Sequence, residues 1–139
     1  MKAITLWEPW ASLVAMKIKR WETRSWWTNY RGPLVIHAAS KKSFHSHYMK
    51  AAQTSVTAPD LKIEDLSFGQ IVAVCDLADC IEMSNKMIME MTETERMLGD
   101  WLEGRYAWKL ENVRALDKPI TVLGKQGLWT LPPEIMEQL

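Results

Sequence analysis

Lys17-Ile18-Lys19-Arg20-Trp21-Glu22-Thr23-Arg24-Ser25-Trp26-Trp27 is where the hydrophobic period of this chain changes, and its eleven residues hold four cations, one carboxylate and three indoles. Just before it, Trp10, Leu13 and Val14 recur at helical spacing as far as Met16, with Pro9 suited to a first helical turn. From Arg20 onward the period is two. Glu22, Arg24 and Trp26 share one face, and Trp21, Thr23, Ser25 and Trp27 share the other. A helix of about two turns running directly into a strand makes the fold a mixed one from its first thirty residues. The charged face suits a flat polar ligand such as a nucleobase, with a carboxylate and a guanidinium to hydrogen-bond and an indole to stack. It equally suits an ordinary exposed ion pair.

Upstream, Lys2-Ala3-Ile4-Thr5-Leu6-Trp7 alternates and predicts a first strand ended by Glu8-Pro9. Downstream, Thr28 to Pro33 gathers turn formers, and Leu34-Val35-Ile36-His37-Ala38-Ala39 is an apolar run of strand length. Ser40 is a candidate N-cap for a helix from Lys41 to about Ala52, with Phe44, Tyr48, Ala51 and Ala52 along one stripe. Lys41 and Lys42 would then oppose the helix dipole unless an anion sits nearby or both are solvated. Gln53 to Ser67 has no clear period. Gly69 to Ile81, β-branched early and alternating later, predicts a central strand. Met83 to Met91 reads as a loop or short helix, and Thr92 with Glu95 forms a capping-box pattern for a helix reaching about Leu102. Tyr106–Val113, Pro119–Val122 and Gly127–Leu131 give three further short strands, with Gly124 to Gly127 as a turn, and Pro132-Pro133 opens a short amphipathic tail. Six or seven short strands with helices between them predict an α+β domain on a curved or closed sheet, and residues 1–139 form a single domain with no repeat or linker.

At 139 residues the chain is long enough for one core, since a chain near this size buries roughly 68–70% of its unfolded surface. Eight Trp against two Phe is an unusual aromatic balance. The formal charge is zero, but residues 1–50 hold nine Lys/Arg against two Asp/Glu, and residues 51–139 hold eight against fifteen. A basic N-terminal face therefore suits a phosphate-bearing ligand, while the acidic remainder argues against wrapping a long duplex. Cys75 and Cys80, five apart, would lie on opposite faces of one strand, which suggests neither a disulfide nor a metal pair. The chain shows no leader-like or membrane-spanning pattern, so no membrane partner is expected and a reducing cytoplasm is the expected location.

No glycine cluster makes a phosphate loop, and no Ser or Cys sits in a nucleophile's context. His45-Ser46-His47 places its imidazoles on different sides of a helix with no third ligand nearby, so no metal and no cofactor are called for. His37, on an apolar strand, reads as a satisfied buried polar group. Lys19 sits off the parity of the strand, at the turn from the helix, and reads as the residue with most freedom to reach Glu22 and Arg24.

Trp7-Glu8-Pro9-Trp10-Ala11-Ser12-Leu13, Lys19 through Trp26, Tyr30-Arg31-Gly32-Pro33-Leu34 and His37-Ala38-Ala39 resemble an ASCH domain, a family whose motif is written GxKxxExR. Lys19, Glu22 and Arg24 fill the Lys, Glu and Arg positions, and Lys17 stands at the Gly. Tyr106 to Arg114 and Gly124 to Trp129 resemble the C-terminal strands of longer ASCH proteins found in phages and prophages. The resemblance implies a PUA-like fold, a small mixed β-barrel with helices packed outside, and a ligand cleft lined by the motif. It implies binding of RNA or another nucleic acid. Some small bacterial members instead remove the acetyl group of N4-acetylcytidine, but they carry Thr where this chain has Glu22. Lys17 raises a further question, because a helix-ending Gly commonly adopts a left-handed conformation that Lys takes only with strain.

The resulting expectation is a cleft that binds RNA or a nucleotide or nucleoside. Lys19 and Arg24, aided by Lys41 and Arg31, would hold phosphate or a base carbonyl, Glu22 would accept from an exocyclic amine, and Trp7 or Trp26 would stack. Two alternatives stand beside it. One is a hydrolase of a modified nucleoside such as N4-acetylcytidine, with Lys19 and Glu22 as the proton-handling pair. The other is a protein-interaction module with partners in transcription or RNA metabolism, which the Trp and Met content also suits.

Overall fold

A computed structural model describes residues 1–41, 49–50, 53 and 58–139. Along the chain come β1 (Lys2–Leu6), α1 (Trp10–Ala15), β2 (Trp21–Arg24), β3 (Gly32–Ala38), a 3-10 turn at Ile63–Asp65 and β4 (Gln70–Glu82). After them follow α2 (Asn85–Glu90), α3 (Glu93–Met97), β5 (Tyr106–Thr121), β6 (Leu128–Thr130) and α4 (Pro133–Met136). The six strands form one curled sheet in the order β2-β5-β4-β3-β1-β6. Only β1 and β3 run parallel, and every other neighbour is antiparallel. The mixed fold with helices outside is as predicted, but the sheet is a half-barrel, because β2 and β6 stand at opposite ends of the order and do not pair.

β4 is central, flanked by β3 and β5, and β3 is buried and, but for His37, apolar from Leu34 to Ala38 because both of its faces are covered. Leu34 and Ile36 pack with Ile4, Leu6, Leu77, Trp108 and the α1 residues Ala11 and Val14. Val35 faces the other way, into a cluster with Ala3, Ile71, Trp129 and Leu131, against which Ile135 and Leu139 of the C-terminal tail pack. Each aliphatic side chain of that size removed from water contributes about 1.5–3 kcal/mol, which is what fixes the strand's register on both faces at once. The α1 start is held by Glu8, whose carboxylate accepts from the Ser12 amide (2.8 Å), the Ser12 hydroxyl (2.6 Å) and the Ser67 amide (2.9 Å).

Two predictions are corrected by irregular pairing. β5 is one strand where two were expected, with extra residues accommodated between Ala115 and Ile120; Pro119, which has no amide hydrogen to give a ladder, lies in that irregular stretch. A second irregularity is built on Asn112, at φ +53°. On β4 a bulge at Ala78, between Leu77 and Asp79, shifts the parity, so Cys75 and Cys80 enter the same core cluster despite their odd spacing. Both thiols are free and buried, and burial with Asp76 nearby pushes Cys75 up to about 12. α2, with Ser84 as its N-cap, settles the Met83 to Met91 segment as partly helical. The helix expected from Lys41 to Ala52, with Lys42 in its first turn, and the pair His45 and His47 lie largely or wholly outside the described residues. No helix among the described residues is long and apolar enough to cross a membrane.

Candidate functional site

The site begins at the C-terminus of α1. The Ile18 amide donates to Leu13 O (3.0 Å) and the Lys17 amide to Val14 O (2.9 Å), which is the Schellman pattern, and Ile18 packs against Leu13. Lys17 occupies the left-handed position of that motif at φ +64°. The turn is therefore not reshaped around the missing glycine. It is kept, and Lys17 carries the strain.

Reversing the chain there sends Lys19 inward. Its side chain is 1% exposed, and its ammonium donates to Trp21 O (2.6 Å) and Leu98 O (2.8 Å), 3.7 Å from Glu22 Oε1. The freedom expected of Lys19 is thus corrected: tertiary packing under Leu98 encloses it. Burial lowers its pKa, opposed chiefly by the charge of Glu22. Glu95 is the partner that the sequence did not reveal. Thr92 Oγ1 does accept from the Glu95 amide (3.2 Å), but the Glu95 carboxylate does not return to close a capping box. Instead Oε1 accepts from the Arg20 amide (2.6 Å), and burial raises the pKa of this carboxylate.

Glu22, largely buried, and the more exposed Arg24 line a cleft from the same strand. Glu22 Oε1 accepts from the Thr23 amide (3.0 Å), and Oε2 accepts from Arg24 Nε (3.1 Å). Arg24 Nη2 donates to Thr5 O (2.9 Å), tying edge strand β2 to β1 across the opening of the half-barrel. That opening is a cleft of about 1140 Å³. Glu22, Arg24 and Trp26 form one wall, and the end of β1 together with residues 122–127, which lead into β6, forms the other. Trp26 stands edge-on to the fully buried Trp108, with centroids 4.8 Å apart and an interplanar angle of 89°. Trp7 is 44% exposed in the cleft and stacks on Trp10 at 6.2 Å and 20°.

Two of the expected ligand cations are not in this wall. Arg31 donates to Thr28 O and Tyr30 O (both 2.8 Å) and lies 3.6 Å from Asp79, so it pins the turn before β3. Lys41 is exposed and follows Ser40, the last cleft-lining residue of that segment among those described. His37 is satisfied, as expected for a buried polar group, through Val122 O (2.8 Å) and Thr5 Oγ1 (3.1 Å), yet it also lines the cleft. Burial lowers its pKa. Because Val122 O only accepts, Nε2 carries the hydrogen, and neutral Nδ1 accepts from the Thr5 hydroxyl. The far wall went unnoticed as part of the site in the sequence, where Gly124-Lys125-Gln126-Gly127 signalled a turn and shared in the family resemblance but suggested no ligand contact.

A family model described as "ASCH domain" matches residues 4–120, most of the chain. The chain belongs to the ASCH domain family. Among curated proteins, this ASCH domain is 28% identical over 131 residues to human Activating signal cointegrator 1 and 27% identical over 135 residues to the mouse protein. The matches take in 92% and 95% of this chain but only 22% of each relative, so the chain spans about a fifth of their length. Among solved structures it is similar to ASCH from Zymomonas mobilis, with a TM-score of 0.63, 14% identity, and coverage of 99% of this chain and 91% of the other. A point variant of that protein gives 0.61 at 13% identity, covering 99% and 94%. At such identity the likeness establishes a shared fold.

Proposed function

We propose that this ASCH domain binds a nucleotide, or a nucleotide of single-stranded RNA, in the cleft between its sheet edges. The observation that carries the proposal is the Glu22–Arg24 pair on the cleft wall. Arg24 spends Nε and one Nη2 hydrogen on Glu22 and Thr5, which leaves the Nη1 hydrogens and the second Nη2 hydrogen for a ligand carbonyl or phosphate. Glu22 retains lone pairs for an exocyclic amine, and Trp7 and Trp26 offer ring surface to a base. Lys19 is a positioning residue here, holding Glu22 from behind. Its ammonium is occupied by two carbonyls, and no observation favours its use as a proton carrier in hydrolysis of N4-acetylcytidine.

The test is the affinity for short single-stranded RNA as a function of salt, in the parent and in Arg24→Ala and Glu22→Gln. Each variant is expected to lose about tenfold or more, the cost of one good bidentate contact. Arg24→Ala should also flatten the salt dependence. Equal affinity in parent and variants removes the cleft from the binding role, and co-purification of a protein with no RNA affinity would favour an interaction module.

A further inference from the structure

We propose that the turn Val122–Gly127 is a phosphate-binding jaw, so that the cleft takes a nucleotide by its phosphate on this side and by its base on the Glu22–Arg24 side. The proposal rests on the nucleotide reading of the cleft and adds a second, separate subsite to it.

The turn is anchored from beneath with unusual thoroughness for a surface connection. The Val122 amide donates to Gly69 O (3.2 Å), and Val122 O accepts from His37 Nε2 (2.8 Å). Thr5 Oγ1, which serves His37 Nδ1, also accepts from Trp129 Nε1 (3.1 Å), and the Trp129 ring stands edge-on to the imidazole at 5.7 Å and 85°. Gly124 is seated directly on this group. A Cβ there would lie 2.6 Å from His37 Cε1, His37 Nδ1 and Thr5 Oγ1, so only glycine permits the approach. Three side chains, Thr5, His37 and Trp129, thus hold one turn in one place.

What the anchored turn leaves available is donors. Leu123, Gly124, Lys125 and Gln126 are exposed, and their main-chain amides make no hydrogen bond among the described residues. Successive amides without a protein partner are donors that an anion can use, and the anchoring removes the ordering cost that a mobile loop would meet on binding. Charge points the same way. Of the cleft's three described cations, Arg24 is paired with Glu22 and Arg105 with Asp100, while Lys125 has no carboxylate within ion-pair distance among the described residues. Thr5 joins the two subsites, since its carbonyl accepts from Arg24 while its hydroxyl supports His37. Phosphate is the ligand group that uses both an array of amides and a lysine point charge.

The experiment is an amide-resolved NMR titration of the parent and of Lys125→Ala with inorganic phosphate, cytidine, cytidine 5′-monophosphate and short single-stranded RNA. Lys125 is exposed, so its removal leaves the fold intact. Phosphate and the monophosphate should shift the amides of residues 123–126, and Lys125→Ala should weaken the monophosphate about five- to tenfold while leaving cytidine unchanged. Shifts from RNA alone would identify a phosphodiester within a chain as the natural source, and would equally support the jaw. If no phosphate-bearing probe moves these amides, or Lys125→Ala alters the affinity of the probe that does by less than about twofold, the jaw is refuted. Failure is separable from failure of the base-binding reading: cytidine binding without phosphate preference sinks the jaw alone, and cytidine monophosphate binding at 123–126 that Arg24→Ala leaves unchanged sinks the other alone.

Discussion

Replacing Lys19 by methionine keeps the volume of the buried side chain and removes its charge and donors. In the folded protein the ammonium serves two carbonyls, Trp21 O and Leu98 O, and stands 3.7 Å from Glu22. After Lys19→Met both carbonyls lose a buried donor, and the Glu22 and Glu95 carboxylates lose the cation that opposes their charges. An orphaned buried acceptor costs about 1–3 kcal/mol and breaking a buried pair costs about 3–5 kcal/mol; these overlap within one network, so the expected loss is about 3–5 kcal/mol. For a chain of this size that lowers Tm by about 10–20 °C. Urea unfolding at neutral pH, read by circular dichroism, measures it. The alkaline limb supplies a second check. Burial holds the folded Lys19 below its ordinary value of about 10.4, so between the folded value and about 10.4 the unfolded chain binds the extra proton. Stability of the parent relative to Lys19→Met must therefore rise with pH through that window. A stability difference under about 1 kcal/mol at neutral pH, or one that shrinks as pH is raised, would show that the ammonium does not bridge β2 to the segment after α3 as described.

Two further substitutions test the frame of the site. Lys17→Gly relieves a left-handed residue worth about 1–2 kcal/mol while loosening the unfolded chain, so a net gain of about 0.5–1 kcal/mol is expected in thermal unfolding, and a loss would contradict the Schellman turn. Burial lowers the His37 pKa, so below about 6.5 the unfolded state takes up a proton that the folded state resists. The contribution is complete above about 6.5 and is lost as pH falls toward the folded value. Urea midpoints at about pH 8 and about pH 5 should diverge more for the parent than for His37→Gln, and equal slopes would remove His37 from the acid response.

Local period and turn chemistry were readable from residues alone. The switch from helical to strand spacing at Lys19–Arg20 sits where α1 gives way to β2, because Leu13 and Val14 need one covered helical face and the strand needs a pleat. The apolar run of β3 pointed to a mostly buried strand, while Lys17, where a glycine is usual, left the turn in question until the structure showed it kept and left-handed. Glu22 and Arg24 were named from alternation and from the family motif, and they do stand together on one wall.

Tertiary structure decided the rest, because each remaining fact depends on a partner far away in the chain. Lys19 is enclosed by Leu98, 79 positions distant, so a residue that looked free became a buried strut. One extra residue at Ala78 reversed the parity that spacing had assigned to Cys75 and Cys80, since a bulge is set by the neighbouring strand and not by local preference. Curling of the sheet short of closure brought residues 122–127 and Arg24 into one cleft. Period and composition say which face of a strand is polar; only the path of the whole sheet says what that face looks across at.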